Sequence, residues 1–304
     1  MVTENNPTQP NNLWDKVITQ TTHALNCGAL QSIATEHEFI EDNKIRFLVR
    51  ILANIERKET ETKQKQKQAK ERGKEFNPFL PYEEDLFVTN LSETHLCLLN
   101  KYNVVDYHLL VITRAFEEQE SYLNLLDFAA LWQCLKQIDG LGFYNSSPIA
   151  GASQRHKHLQ LVPLPLVSEG EKIPIEPALE TAQFKQNIGS IPHFPFVHGL
   201  IELNLNQDQD DHLTAEILLK CYYQLLAAIN LPIIEEKSPG DYNLLITKKW
   251  MLIIKRSQPT YQSIPINSLG FAGTLLVKNQ QQMEQLKQLK PITILKNVSY
   301  ENLA

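Results

Sequence analysis

In the run His156-Lys157-His158-Leu159-Gln160, polar side chains recur at every second position. Side chains on an extended strand alternate between faces, so His156, His158 and Gln160 share one face while Lys157, Leu159 and Leu161 point the other way. Two imidazoles and a carboxamide on one buried sheet face are costly unless each has a partner or a ligand. Paired imidazoles suit two kinds of chemistry, a transition-metal site or attack on phosphorus by a neutral ring nitrogen. A metal centre needs a further His, Cys or carboxylate at sensible spacing, and the remaining histidines have no obvious claim to that position. The preceding loop favours phosphorus. Gly151, Ala152 and Ser153 have small side chains that let backbone amides approach an anion, and Ser153 and Gln154 add side-chain donors. Attack on phosphorus would give a phosphoramidate and split one hard displacement into two easier ones. The ordinary imidazole pKa of about 6.5 leaves much of the group neutral near pH 7.

The chain around this segment has 304 residues, 42% of them hydrophobic, enough for one large core or two packed lobes. Asp and Glu number 35 against 29 Lys and Arg, for a formal charge of -6. That balance argues against a general nucleic-acid binder, which needs clustered excess cations. No apolar run approaches the roughly 18 residues needed to cross a bilayer, and the polar start Met1-Val2-Thr3-Glu4-Asn5-Asn6 does not read as a signal peptide. A soluble cytoplasmic protein with no membrane partner is expected. Cys27, Cys97, Cys134 and Cys221 lie far apart with no C-x-x-C pair, so neither a zinc knuckle nor a redox dithiol is read from them.

The elements that must position the row are legible in outline. Leu13, Val17, Ile18 and Leu25 recur at helical spacing behind a cap at Asn11 or Asn12, predicting a helix over residues 13–30. Alternation of Ile45, Phe47, Val49 and Ile51 predicts a strand. Residues 56–75 hold almost nothing apolar and alternate Lys with Gln or Glu, which reads as a charged loop outside any core. Residues 95–101 and 108–113 predict an antiparallel pair, followed by a helix capped by Asp127 and carrying Phe128, Leu131, Leu135 and Ile138. Strands at 142–145 and 156–162 flank the small-residue loop. Farther on come a short helix at 177–187, a strand at 196–205, and a helix at 212–229 with Leu213, Ile217, Cys221 and Leu225 inward. Strands at 242–247, 250–255 and 271–277 and a polar helix at 280–289 with Met283 and Leu286 inward complete the pattern.

The segment from Asn145 to Gln160 resembles the signature of the histidine-triad superfamily, in the branch where Gln replaces the third His. Within that branch the chain resembles the ATP adenylyltransferases, also called diadenosine tetraphosphate phosphorylases. Leu98-Leu99-Asn100-Lys101-Tyr102 followed by His108-Leu109-Leu110-Val111-Ile112-Thr113 resembles that family's ribose-contacting strand pair. Tyr242 to Thr247, Trp250-Met251 and Asn267 to Gly273 resemble its C-terminal region. The resemblance implies an α+β fold with a histidine-triad-like antiparallel sheet and packed helices. It implies a catalytic region over residues 1–165 and a C-terminal region over 166–304 that completes the dinucleotide site.

The resemblance also implies roles. His158 would be the nucleophile that takes up AMP, with His156 as a supporting group and Gln160 binding the transferring phosphoryl group. Asn100 and Lys101 would contact nucleoside and phosphate, and Asn145 with Gly151, Ala152, Ser153 and Gln154 would form the phosphate cradle. Lys58 would add a basic contact, and Asn267, Ser268, Leu269, Thr274 and Lys278 would meet the rest of a long dinucleotide. The implied reaction is phosphorolysis of diadenosine tetraphosphate to ATP and ADP, and its reverse, by a monomer. Magnesium would arrive with the polyphosphate and no organic cofactor would be needed. Two other readings stand beside this one. They are a hydrolase of the same superfamily, in which water resolves the adduct, and a nucleotide-binding sensor without turnover.

Overall fold

Asn12 opens the first helix by accepting the Asp15 amide on its side chain, and α1 runs over Leu13–Asn26. The computed structural model describes residues 12–52, 77–206, 209–231, 233 and 238–302, so the charged stretch 56–75 and Lys58 lie outside the described residues. The buried stripe of α1 is Leu13, Val17, Thr21 and Ala24, whereas Ile18 and Leu25 of the expected stripe are exposed. The polar Thr35–Asp42 forms β1, which pairs antiparallel with β2 (Ile45–Leu52), and β2 pairs in parallel with β15 (Thr274–Val277).

The strands that carry the polar row belong to a second, ten-stranded sheet. Its N-terminal half contains β3 (Phe87–Asn90), β4 (His95–Leu99), β5 (Leu109–Thr113), β6 (Gly140–Asn145) and β7 (His158–Pro163). Its C-terminal half contains β8 (Gln183–Lys185), β9 (Ile188–Ser190), β10 (His198–Glu202), β11 (Tyr242–Ile246) and β12 (Trp250–Lys255). The order is β3-β4-β5-β7-β6-β11-β12-β10-β9-β8. Residues on both sides of position 165 therefore share one sheet through the antiparallel β6–β11 pair. A small hairpin, β13 (Thr260–Tyr261) with β14 (Ile264–Pro265), stands apart.

One face of the large sheet is covered by helices. α1 packs there with α2 (Leu125–Gln137) and α4 (Asp211–Ala228), enclosing Cys97, Val111, Leu159, Leu161, Tyr144, Leu244 and Met251. α2 begins at Asn124, not at Asp127. Asn124 accepts the amides of Leu126 and Asp127, and the Asp127 carboxylate reaches back to the Asn124 amide. Such a capping box satisfies otherwise orphan donors and stabilises a helix by about 1 kcal/mol. On α4 the inward side is Thr214, Ala215, Leu218, Tyr222, Leu225 and Leu226, leaving Leu213 exposed.

On the opposite face the C-terminal half of the sheet packs against β1, β2 and β15. The helices α3 (Glu176–Leu179), α5 (Ser268–Phe271), α6 (Gln280–Leu289) and α7 (Pro291–Asn297) complete that layer. α6 buries Met283 and Leu286 as its periodicity predicts. The helix expected over 177–187 stops at Leu179, and the chain turns into the β8–β9 hairpin through Gln186 at φ 58°. The core of this face reaches Leu141 and Phe143 of β6 and Val162 of β7, whereas over β4 and β5 the described residues form a smaller cluster, Phe79 with Leu96, Leu98, Leu110 and Ile112. The polar row lies on that face beside the Phe79 cluster, and all three of its side chains are buried. No helix among the described residues is long and apolar enough to cross a membrane.

Candidate active site

In register, His158 stands opposite Ile112 of β5, and Gln160 stands opposite Leu110 of β5 and Phe143 of β6. Both therefore face the Phe79 cluster, as strand alternation requires. His156 precedes β7, held by an isolated bridge to Glu118, so the strand expected from 156 starts two residues later. The Phe79 ring lies 5.5 Å from the rings of both histidines.

The hydrogen bonds fix both tautomers. Nδ1 of His158 is 2.8 Å from the carbonyl of His156, which only accepts, so Nδ1 carries the hydrogen and Nε2 carries the lone pair. No described residue engages that Nε2. Burial pushes the His158 pKa down to about 4, against a lesser upward pull from the His156 carbonyl. The ring is therefore neutral at pH 7, with its free lone pair on one defined atom. His156 has the opposite arrangement. Its Nε2 donates to the carbonyl of Thr113 at 2.8 Å, and its Nδ1 accepts from the Asn77 amide at 3.0 Å. Its pKa is lowered too, chiefly by burial.

His108, which the sequence reading placed only within a strand, orients Gln160. The Asn100 amide nitrogen is 3.1 Å from Nδ1 of His108, and Nε2 of His108 is 3.0 Å from Oε1 of Gln160. With the amide of Asn100 donating, Nε2 of His108 bears the hydrogen and donates to the Gln160 oxygen. The Gln160 Nε2 group is left with two donors that no described residue takes up. Asn100 thus lies in the site, connected to Gln160 through one imidazole. The Lys101 ammonium is paired with Glu83 at 2.6 Å.

The small-residue loop is a turn whose first amides are used internally. Gly151 N donates to the Pro148 carbonyl at 3.1 Å and Ala152 N to the Ser147 carbonyl at 2.9 Å. The amides and side chains of Ser153 and Gln154 have no partner among the described residues, so these two present the open donors. Gly151 has φ +94°, and a Cβ there would lie 2.8 Å from the Ile266 carbonyl. The loop must therefore be glycine to lie against the segment before Asn267.

A buried polar network joins that loop to the C-terminal region. Oδ1 of Asn145 accepts from Asn243 Nδ2 at 2.8 Å, from Ser268 N at 2.9 Å and from the Ser268 hydroxyl at 2.8 Å. Asn243 also donates to the Ala150 carbonyl at 2.8 Å, and Arg256 donates to the same carbonyl at 3.1 Å. Asn145 and Ser268 are thus adjacent, with the Ser268 hydroxyl serving the protein interior. Asn267 caps α5 by accepting the Leu269 amide. Leu269 is half-buried against the second core. The Thr274 hydroxyl donates to the Leu269 carbonyl at 3.1 Å, and Lys278 is exposed just beyond β15. No hydrogen bond between described residues links Thr274 or Lys278 to His158 or Gln160.

An antiparallel sheet bearing a His-x-His-x-Gln row beside a glycine-turned loop, with helices packed on it, defines the histidine-triad-like α+β class. Residues 3–181 match the Ap4A phosphorylase N-terminal domain, and residues 192–301 match the ATP adenylyltransferase C-terminal domain. The chain belongs to the Ap4A phosphorylase family (Ap4A is diadenosine tetraphosphate). Diadenosine 5',5'''-P1,P4-tetraphosphate phosphorylase 2 of Saccharomyces cerevisiae is 31% identical over 242 residues, covering 70% of this chain and 72% of that protein. Protein APA1 of the same organism is 26% identical over 219 residues, 65% of each chain. The crystal structure of yeast Ap4A phosphorylase Apa2 in complex with AMP superposes with a TM-score of 0.77 at 26% identity. That match covers 97% of this chain and 99% of the yeast one.

Proposed function

We propose that the chain phosphorolyses diadenosine tetraphosphate to ATP and ADP, and runs the reverse synthesis, through an AMP group held on Nε2 of His158. The observation that carries this reading is the fixed tautomer of His158, with Nδ1–H tied to a backbone carbonyl and the Nε2 lone pair unengaged. In the first step Nε2 bonds to the α-phosphorus of one adenylate, the P–O bond to the remaining nucleotide breaks, and ATP leaves. In the second an oxygen of inorganic phosphate bonds to the same phosphorus, the P–N bond breaks, and ADP leaves. Alignment of acceptor and adduct can supply up to about 7–11 kcal/mol of the rate enhancement. Open donors on Gln160, Ser153 and Gln154 would steady the equatorial oxygens.

Magnesium would enter as part of the polyphosphate substrate. Among the described residues, the His, Cys, Asp and Glu side chains close enough to share an ion are His23, Cys27 and Asp85. An imidazole and a thiol are poor ligands for Mg²⁺, which prefers oxygen. Chromatography of products with and without phosphate tests the reaction. ATP plus ADP formed only with phosphate is expected, whereas AMP plus ATP without it would identify the hydrolase instead. Nucleotide binding with no product in either condition would identify the sensor.

Gln160→Ala is expected to lower kcat by about 10²–10³, the usual cost of one donor to a transferring group. His108→Phe should give a smaller loss of the same kind, and the double variant should be no worse than Gln160→Ala, because His108 acts through Gln160. Steady-state kinetics of the three variants decides this. An unchanged kcat for Gln160→Ala removes the role.

A further inference from the structure

Gln119 is 2% exposed and makes no contact that the sequence pattern announces. Its backbone is fixed at both ends, the amide donating to the Arg155 carbonyl at 2.6 Å and the carbonyl accepting from the Tyr144 hydroxyl. The register between β6 and β7 runs as far as Phe143 opposite Gln160, so Tyr144 and Leu159 come next in line and Asn145 and His158 after them. There the Gln119 carboxamide stands between the two strands. Oε1 accepts the His158 amide at 2.8 Å, and Nε2 donates to the Asn145 carbonyl at 2.7 Å and to the His158 carbonyl at 3.3 Å. One side chain thus behaves as an inserted peptide group, holding the backbone of the nucleophile and of the cradle residue Asn145 at a set separation.

We propose that Gln119 is a positioning residue for the transfer reaction, a carboxamide spacer that sets the His158 backbone against Asn145 and so aims Nε2 at phosphorus. This inference rests on the function proposed above. No apolar isostere can replace the spacer, because it would leave one buried N–H and two carbonyls without partners. A carboxylate fails for another reason, since it cannot donate to the two carbonyls. A protonated carboxyl restores the shorter pair of bonds, because its C=O accepts the His158 amide where Oε1 does and its one O–H donates to the Asn145 carbonyl.

The test follows the rate constant of adenylate transfer to His158 by rapid quench and intact-mass measurement, beside AMP affinity by calorimetry. Gln119→Met is expected to slow transfer by about 10²-fold or more, the cost of a misaligned reacting group, with AMP affinity within about threefold of wild type. Gln119→Glu should be comparably slow near pH 8 and recover at least about tenfold by about pH 5.5, because burial against two carbonyl oxygens raises the carboxyl pKa above its ordinary range and returns the proton there. Other groups near position 119 are the Arg155–Glu118 pair, Lys157 with Glu117 and Asp127 on the opposite face, the Tyr144 hydroxyl, and His156 and His158. The wild-type profile over the same range serves as their control. A role confined to stability would lower the melting temperature of both variants without changing the rate per folded molecule, and would give no acid recovery. A Gln119→Met rate within twofold of wild type, or a Gln119→Glu profile parallel to wild type, overturns the positioning role while the wild-type reaction stands. A wild-type chain that never carries the adenylate overturns the reaction, and this role with it.

Discussion

His158→Ala is expected to abolish the covalent adenylate and to cut turnover by on the order of 10⁵-fold, the scale on which a removed nucleophile is felt. Wild-type protein mixed with diadenosine tetraphosphate and quenched rapidly should gain the mass of one AMP, and the variant should gain none. Label on the variant would mean that another residue is the nucleophile. The acid limb is part of the same expectation. Burial holds the His158 pKa down to about 4, so transfer should stay level well below pH 6.5 and fail only as pH nears 4. Stability follows the same group. Between about 6.5 and about 4 the unfolded chain binds a proton at this position and the native chain does not, so stability is whole above 6.5 and falls with pH across that window. The loss reaches about 3 kcal/mol, and buried His156 and His198, also shifted downward, add to it with the same sign. Urea denaturation at several pH values should show a shallower slope for His158→Ala than for wild type.

The polar row was legible in the sequence because strand alternation is a local rule. His156, His158 and Gln160 fall on one face whatever the rest of the chain does. The same holds for the β4–β5 pair and for Met283 and Leu286 of α6. The side chains hydrogen-bonded to His158 and Gln160 from outside the row were not legible, because those bonds join distant residues. Gln119 sits in the acidic run Glu117-Glu118-Gln119-Glu120, where nothing local marks it as buried. His108 was legible as part of a strand, but its bond to Gln160 spans 52 positions. Lys157 shows the converse. Alternation correctly sent it to the helix-covered face, yet its near-complete burial there depends on the carboxylates of Asp127 at 2.7 Å and Glu117 at 3.1 Å. β1 was missed because Thr35-Glu36-His37-Glu38-Phe39-Ile40-Glu41-Asp42 has no apolar alternation and is held as a strand by its pairing with β2.

Arg256→Met is expected to be the most destabilising of the substitutions considered. Arg256 is 1% exposed, and its guanidinium donates to the carbonyls of Val298 at 2.9 Å, Ala150 at 3.1 Å and Gln258 at 2.8 Å and to Oδ1 of Asn243 at 2.5 Å. Burial lowers its pKa to about 9, opposed by Asp241, so the group stays charged at pH 7. Met fills much of the volume but removes four hydrogen bonds and leaves the Gln258 carbonyl and Oδ1 of Asn243 without a partner among the described residues, and losses of this kind sum to about 3–5 kcal/mol. Lys restores the charge without the planar fork and should recover little of the loss. The Ala150 carbonyl, which would lose one of its two donors, anchors the turn that presents Ser153 and Gln154, and Asn243 ties the same turn to Asn145. Substrate affinity should therefore fall along with stability, so KM rises in the fraction that stays folded. Denaturant melts read the first effect and steady-state kinetics the second. A variant within about 1 kcal/mol of wild type would mean that water replaces the guanidinium at this site, and that the turn is held by Asn243 alone.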